Sequence, residues 1–380
     1  MIARILVAAA LTVTAFGASA QVKVGVISSS TGPVSVVGIQ QKNTVEILPR
    51  KIGSLDVAYV FLDDASDPTQ SVKNVQRLLI EDKVDAIIGP SGTPGAMAVL
   101  PFIAEAKTPL LAPVGSTAVV LPMDAQRRWV FKTTQNDDLV MDALFGELKK
   151  SGGKTLAFIG TSDPLGESFE KAARIAAEKT GIRIVASERY ARTDTSVTGQ
   201  ALRILSANPD AVLIGTAGAA TILPEVTLVD QGYRGRLVQT HGAATPEFLK
   251  LGGKKVEGTL LAASPMLVLN ELGDDVPSKR VALAYIDRYK AKYGTEPGTF
   301  GANVFDAGLL LERAVPIAAA RARPGTPEFR AALRDAIEGT RDLVGAQGVY
   351  NMTPEDHSGF DARNVVPIVV KNGTWTLLKK

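Results

Sequence analysis

Residues 86–95, AIIGPSGTPG, pass from a short apolar run through a glycine-rich loop into the start of a helix. Thr93 stands near the expected N-cap and Pro94 falls in the first turn, as is typical of a helix start. A continuous apolar strand followed closely by a helix is the repeating unit of a parallel sheet covered on both faces. This stretch therefore predicts an α/β fold.

The same alternation continues on both sides of that stretch. A first run of strands is predicted at residues 22–27, 57–62, 86–89 and 109–112, with helices over 37–48, 68–81 and 93–106. A second run of strands is predicted at residues 155–160, 182–186, 211–215 and 237–239. Its helices are predicted over 165–180 and 197–206, and a third follows the strand 211–215 and ends at residue 231. After residue 258 we expect mainly helices, over 278–293, 302–321 and 327–338, and late strands at 365–370 and 374–378. The chain is therefore predicted to form two α/β lobes, because too few strands remain after residue 258 for a third.

The composition excludes several classes of protein. The chain has 380 residues, of which 46% are hydrophobic, enough for two sizeable cores. Its formal net charge is only +3 and it contains no block of five like charges, so we expect no nucleic-acid partner. Cysteine is absent, which excludes thiolate-zinc sites, disulfides and thiol catalysis. We expect no cofactor and no metal.

The first twenty residues resemble an export signal. Arg4 precedes an apolar stretch over residues 5–16, and Ala18-Ser19-Ala20 precedes Gln21, as at a signal-peptidase site. A buried N-terminal helix is the alternative interpretation. Since no cysteine is available for lipid attachment, the pattern predicts a periplasmic protein that is released by cleavage and not lipid-anchored.

Two loops at the carboxyl ends of predicted strands could hold an anion. Ligands of open parallel sheets bind at this edge. The helix start at Thr93 would direct free backbone N–H groups and the positive end of the helix dipole into a cleft, which suits a carboxylate. The loop 114–117, VGST, adds two hydroxyls and a glycine amide. Ordinary helix capping without any ligand is the alternative for both loops.

Enzymatic motifs fail on inspection. Residues 160–168 have the glycine spacing of a phosphate-binding loop, but Glu167 occupies the position of the required lysine. The two histidines, His241 and His357, are not accompanied by a G-x-S-x-G nucleophile motif. We therefore predict a protein that is not an enzyme. His241 ends a predicted strand and either contacts a ligand or is an ordinary loop histidine.

Five short segments carry a family resemblance. They are residues 23–27 together with 31–33, then 62–68, 87–90, 110–113 and 131–133, and their order and spacing are more specific than any one of them. Together they resemble the branched-chain amino-acid-binding proteins of ABC importers, the type I periplasmic binding proteins. The resemblance implies two doubly wound lobes with parallel-type central sheets, joined by a three-strand hinge.

The resemblance also implies how the chain divides. We expect one lobe from residues 21–131 and 262–346, and the other from 132–261 and 347–380. Crossings between them are expected near Phe131, Leu261 and Gln347.

In that family, hydroxyls at the positions of Thr93 and Ser116 hold the ligand carboxylate, beside the backbone of Val114 and Gly115. In this chain, His241 stands where the family has an acidic group for the ligand ammonium.

Apolar replacements point the same way. Val37, Leu165 and Ala217 stand at family positions that are aromatic. A buried unpaired cation is very costly, so we expect a ligand without an ammonium group: a carboxylate with an apolar or aromatic body and a polar tip near His241.

The resemblance implies a function and its partners. We expect a monomer that captures a small carboxylate by hinged closure and delivers it to the membrane permease of an ABC importer. One alternative is a branched-chain amino-acid-binding protein of the same transporter family. Another is a periplasmic subunit that reports ligand occupancy to a receptor.

Overall fold

The computed structural model describes residues 21–379, so the predicted signal peptide lies outside the described residues. The first lobe contains a six-stranded sheet with strand order β2-β3-β1-β4-β5-β6. Its strands are β1 (Gln21–Ser28), β2 (Lys51–Ile52), β3 (Leu55–Asp63), β4 (Ala86–Ile88), β5 (Leu110–Ala112) and β6 (Val130–Lys132). All neighbours pair in parallel except β2, which pairs antiparallel with β3.

The second lobe contains a seven-stranded sheet with strand order β15-β14-β11-β10-β9-β7-β8. Five of its strands are β7 (Thr155–Thr161), β8 (Arg183–Tyr190), β9 (Ala211–Gly215), β10 (Arg236–Gln239) and β11 (Leu260–Ala263). A separate short pair is formed by β12 (Leu343–Val344) and β13 (Val349–Tyr350). The last strands, β14 (Val366–Lys371) and β15 (Thr374–Leu377), extend the second sheet in antiparallel fashion. The predicted fold class of two α/β lobes is confirmed.

Helices cover both sheets. Those that follow the strands of the first sheet are α1 (Ser35–Val45), α2 (Pro68–Ile80) and α3 (Thr93–Glu105). Those of the second lobe are α4 (Asp137–Lys150), α5 (Pro164–Thr180), α6 (Thr198–Ser206), α7 (Ile222–Asp230) and α8 (Pro246–Gly252). The late helices are α9 (Ser278–Tyr293), α10 (Thr299–Ala319) and α11 (Pro327–Glu338), and they pack into the core of the first sheet.

Local sequence chemistry explains where these helices begin and end. The side chain of Asp67 accepts a hydrogen bond from the backbone N–H of Thr69, and Pro68 occupies the first helical position of α2. Gly181 ends α5 in the left-handed conformation, with φ of 77°, directly after the predicted helix over residues 165–180. The cap at Asp67 places the N-terminus of α2 just after β3, at the edge of the sheet where that strand ends.

Hydrogen bonds tie the connections between the lobes to one another. The backbone N–H of Lys132, at the end of β6, donates to the carbonyl of His357 over 2.8 Å. The hydroxyl of Tyr350 donates to the carbonyl of Thr133 over 3.2 Å. Tyr350 and Phe360, beyond the predicted third crossing, pack in the core of the first sheet. The chain then rejoins the second sheet at β14.

A buried carboxyl group supports the end of β10. Glu225 accepts hydrogen bonds from Gln239 (2.6 Å) and from the hydroxyl of Thr259. Burial raises the pKa of Glu225 from its ordinary 4.5 to about 7. The folded protein therefore holds this proton more tightly than the unfolded chain does. The resulting contribution to stability is complete below about pH 4.5 and is lost as the pH rises to about 7.

We expect Glu225→Gln, which has no proton to lose, to gain stability relative to the wild type across this interval. The gain should be on the order of 1–2 kcal/mol, larger at pH 8 than at pH 5. Urea unfolding of both proteins at the two pH values measures it. A difference in stability that is the same at both pH values would contradict the buried, proton-binding state of Glu225.

A candidate ligand-binding cleft between the lobes

A cavity of about 260 Å³ lies between the two lobes. The first lobe contributes Val37, Thr93, Val114 and Gly115 to its wall. The second lobe contributes Leu165, Ala217 and His241. Seven of the eight residues predicted for the site therefore line one cavity, whose volume suits a small molecule.

The start of α3 forms one polar end of this cavity. Thr93 is the first residue of α3, after Gly92 in extended conformation, and Pro94 follows in the first turn. First-turn N–H groups have no partner within their own helix, and the helix dipole places partial positive charge there. Thr93 is only 1% exposed, and its Oγ1 has no hydrogen-bond partner within residues 21–379. A buried donor without a partner on the cavity wall fits an anionic ligand group.

A buried lysine lies behind the loop of Gly115. The ammonium group of Lys132, at the end of β6, donates to the carbonyls of Gly115 and Gln135. Burial lowers the pKa of Lys132 to about 8, against the opposing effect of Asp137. Its positive charge is partly opposed by that of Asp137 and also acts on His241 in the second lobe.

Ser116, whose hydroxyl was expected to face the ligand, is not among the residues that line this cavity. Its Oγ donates to the hydroxyl of Ser168 over 2.7 Å. The same oxygen accepts from the backbone N–H of Ala118 over 3.1 Å and so caps a short 3₁₀ helix. Because the single proton of this hydroxyl is donated to Ser168, it is not available to a ligand carboxylate in this conformation.

His241 forms the opposite wall of the cavity. It is 7% exposed, and its ring meets the ring of Phe169 edge-on, with centroids 5.6 Å apart. Burial, with a further effect from the charge of Lys132, lowers the pKa of His241 to about 3. Its Nδ1 has no hydrogen-bond partner in the part of the chain that the structure describes. The imidazole is therefore neutral near pH 7 and can bond a polar group of a ligand.

Arg192 lines the same cavity and was missed by the sequence analysis. Its Nε donates to the carboxylate of Asp163 over 2.6 Å, and its Nη1 donates to the carbonyl of Ala217 over 3.0 Å. Asp163 also caps α5 by accepting from the N–H groups of Leu165 and Gly166. The charge of Arg192 is thus compensated within the second lobe.

The strand prediction explains the omission. β8 is expected to end at residue 186, but it runs to Tyr190. Because β8 ends at Tyr190, Arg192 lies in a loop at the carboxyl end of a strand, where ligand-binding residues are expected.

Neither a metal-ligand cluster nor a membrane-spanning helix is found in the described residues. Within residues 21–379, no group of three or more His, Asp or Glu side chains is placed to hold a metal ion. Among the helices of the same residues, none combines the length and the hydrophobicity needed to cross a membrane.

Two α/β lobes of mostly parallel strands, with a small-molecule cavity between them, define a two-lobed solute-binding protein. The chain belongs to the periplasmic binding protein family, whose model matches residues 21–373. This confirms the predicted family, and the relatives are solute-binding proteins rather than enzymes, as is this chain.

Known proteins resemble the chain along most of its length. A Leu/Ile/Val-binding protein homolog of Brucella melitensis is 26% identical over 269 residues, 69% of this chain and 72% of that protein. The crystal structure of an extracellular ligand-binding receptor from Rhodopseudomonas palustris HaA2 matches with a TM-score of 0.92 and 43% identity, covering 94% of this chain and all of that one. A leucine-binding protein from Thermotoga maritima matches with a TM-score of 0.80 and 25% identity, covering 94% of this chain and 98% of that one.

A more distant structure is of interest for its ligand. A solute-binding protein of an ABC transporter from R. palustris, in complex with benzoate, matches with a TM-score of 0.79 and 19% identity, covering 94% of this chain and 95% of that one. At this identity the match shows the fold alone.

Proposed function

We propose that this protein is the extracytoplasmic solute-binding component of an ABC importer and captures a small carboxylate, aromatic or aliphatic, by hinged closure. The observation that carries the proposal is the buried, unpartnered Thr93 hydroxyl at the start of α3, in a cavity that the second lobe covers. The carboxylate would accept hydrogen bonds from this hydroxyl and from first-turn amides of α3. Contacts with both lobes would then favour the closed form.

The carboxyl groups of the cavity favour a ligand without an ammonium group. Asp64 accepts from the hydroxyls of Ser29 (2.6 Å) and Ser71 (2.7 Å), and is 1% exposed. Asp163 is paired with Arg192. Asp163 is neutralised by Arg192, one oxygen of Asp64 is bonded to Ser29 and the other to Ser71, and His241 is neutral. A ligand ammonium would therefore find no carboxylate in this cavity that is free to pair with it directly.

The far wall of the cavity suits a ligand tip that is polar but uncharged. Phe169 and Leu165 would provide apolar contacts for the ligand body, and the neutral imidazole of His241, which lines the cavity, would provide a polar contact. A second carboxylate would meet Arg192 only beside the negative charge of Asp163, so a monocarboxylate fits better.

Two other functions would use the same cleft. The names of the curated relatives favour a branched-chain amino-acid-binding protein, since they are Leu/Ile/Val-binding proteins. A sensory subunit that passes occupancy to a receptor would use the same cleft. In each case the protein would act in the periplasm as a monomer after cleavage of residues 1–20. The closed form would bind the importer's permease, or the receptor in the sensory alternative.

A thermal-shift comparison of matched ligands tests the proposal. Leucine and 4-methylpentanoate share one apolar body and differ in the ammonium group; benzoate adds an aromatic body. We expect 4-methylpentanoate or benzoate to stabilise the protein, by about 2.7 kcal/mol at one hundred times Kd, and leucine to do so much less. Stabilisation by leucine alone would favour the amino-acid-binding alternative and contradict the proposal.

A further inference from the structure

A chain of hydrogen bonds joins the two lobes outside the ligand cavity. Ser116 donates to Ser168 over 2.7 Å, and the hydroxyl of Ser168 donates to the Oδ2 atom of Asp137. The backbone N–H of Thr117 donates to the same Oδ2 atom over 3.1 Å. The hydroxyl of Thr117 in turn accepts from the backbone N–H of Asp137, also over 3.1 Å.

These four residues come from elements that closure must bring together. Ser116 and Thr117 follow β5 in the first lobe. Asp137 begins α4, directly after the connection that leaves β6, and Ser168 lies on α5 in the second lobe. Three of the four hydrogen bonds therefore cross from one lobe to the other. Rotation of the lobes about the hinge would separate Ser116 from Ser168.

Because they are buried, these hydrogen bonds affect the equilibrium between the open and closed arrangements of the lobes. Ser116 is 0% and Asp137 is 1% exposed. In the closed form, water cannot replace a missing partner of the Asp137 carboxylate, and leaving such a group without its donor is costly. In an open form, water can reach the same carboxylate and the serine hydroxyls. The chain of bonds therefore contributes to the closed form only.

We propose that Ser116, Thr117, Asp137 and Ser168 form an interlobe latch that sets the affinity of the cleft for every ligand by stabilising the closed form. Ser116 and Ser168 do not line the ligand cavity and act as positioning residues. The proposal rests on the hinged closure proposed above. Apparent affinity scales with the population of the binding-competent form, so a weaker latch weakens all ligands by one common factor.

Ser168→Ala tests the latch because it removes the central hydroxyl. With benzoate and 4-methylpentanoate as probes, we expect Kd from calorimetry to rise by the same factor for both, about three- to tenfold. Ser168→Thr, which keeps a hydroxyl, should restore most of the affinity. Ser187→Ala is the matched control, since it removes a serine–carboxylate hydrogen bond to Glu170 on the same helix but within one lobe. No change in Kd, or a change for one probe only, would overturn the latch.

A second readout needs no ligand. Because the chain contains no cysteine, Glu105→Cys and Glu178→Cys allow one spin label on each of α3 and α5, at exposed positions. In the free protein, Ser168→Ala should shift the distance distribution between the labels to longer values, and Ser187→Ala should leave it unchanged. If neither probe binds the wild type, the proposed function fails. The distances between the labels then test the latch alone: a shift in Ser168→Ala supports the latch, and the absence of a shift overturns it.

Discussion

Gly115→Val is expected to weaken binding of benzoate and 4-methylpentanoate at least about 100-fold, while the unfolding of the free protein stays unchanged. A Cβ atom at Gly115 would lie 2.9 Å from Nε2 of His241 and 3.5 Å from a methyl carbon of Leu165. Both contacts belong to the opposite lobe, and the His241 ring is held against Phe169. A valine side chain would therefore block closure, whereas the open form relieves the clash.

A glycine-to-valine substitution at a second site is the control. It shows whether the loss of binding comes from blocked closure or from any larger side chain in place of glycine. Gly146 lies in α4, and a Cβ atom there would have nothing within 4 Å. Gly146→Val should bind both probes as the wild type does. Calorimetry gives the affinities, and urea unfolding without ligand gives the stabilities. Undiminished binding by Gly115→Val would show that closure does not bring Gly115 and His241 together.

Thr93→Val is expected to weaken binding of benzoate about 10- to 100-fold. Valine keeps the shape of the side chain and removes the hydroxyl, which has no other partner in residues 21–379. Hydrogen bonds to charged groups contribute roughly 1.5–3 kcal/mol, and about 1.4 kcal/mol corresponds to a factor of ten. The free protein should be no less stable than the wild type, because the hydroxyl makes no hydrogen bond there that the substitution would break.

Thr108 provides the matched control for this substitution. It is 1% exposed, follows the other end of α3, and bonds the carbonyl of Ala106. Thr108→Val should affect stability slightly and leave the Kd for benzoate unchanged. If Thr93→Val bound benzoate as tightly as the wild type, the start of α3 would not be the carboxylate site.

Much of the fold could be predicted because its signals are local. Continuous apolar runs such as residues 211–215 are buried on both faces of a parallel sheet, and they are found as strands. The helix start predicted at Thr93 is found, and α9 and α11 have the predicted bounds. Thr93 could be singled out since a helix start after a strand end has a fixed position in such a sheet.

The missed features depend on partners that are distant along the chain. β8 is an edge strand with a half-exposed, polar sequence, so its apolar pattern ends before the strand does. The loop with Arg192 was overlooked for that reason. The hydroxyl of Ser116 was expected in the cavity, but its partner Ser168 lies 52 residues away on the other lobe. No local pattern reports whether two lobes will bring such a pair together.

A crystal structure of the protein with benzoate or 4-methylpentanoate, whichever stabilises it more, tests the central claim most directly. We expect the ligand between the lobes, with a carboxylate oxygen about 3 Å from Oγ1 of Thr93 and the ligand body against Leu165 and Phe169. A carboxylate bound instead by Arg192, or a ligand bound outside the interlobe cavity, would contradict the account.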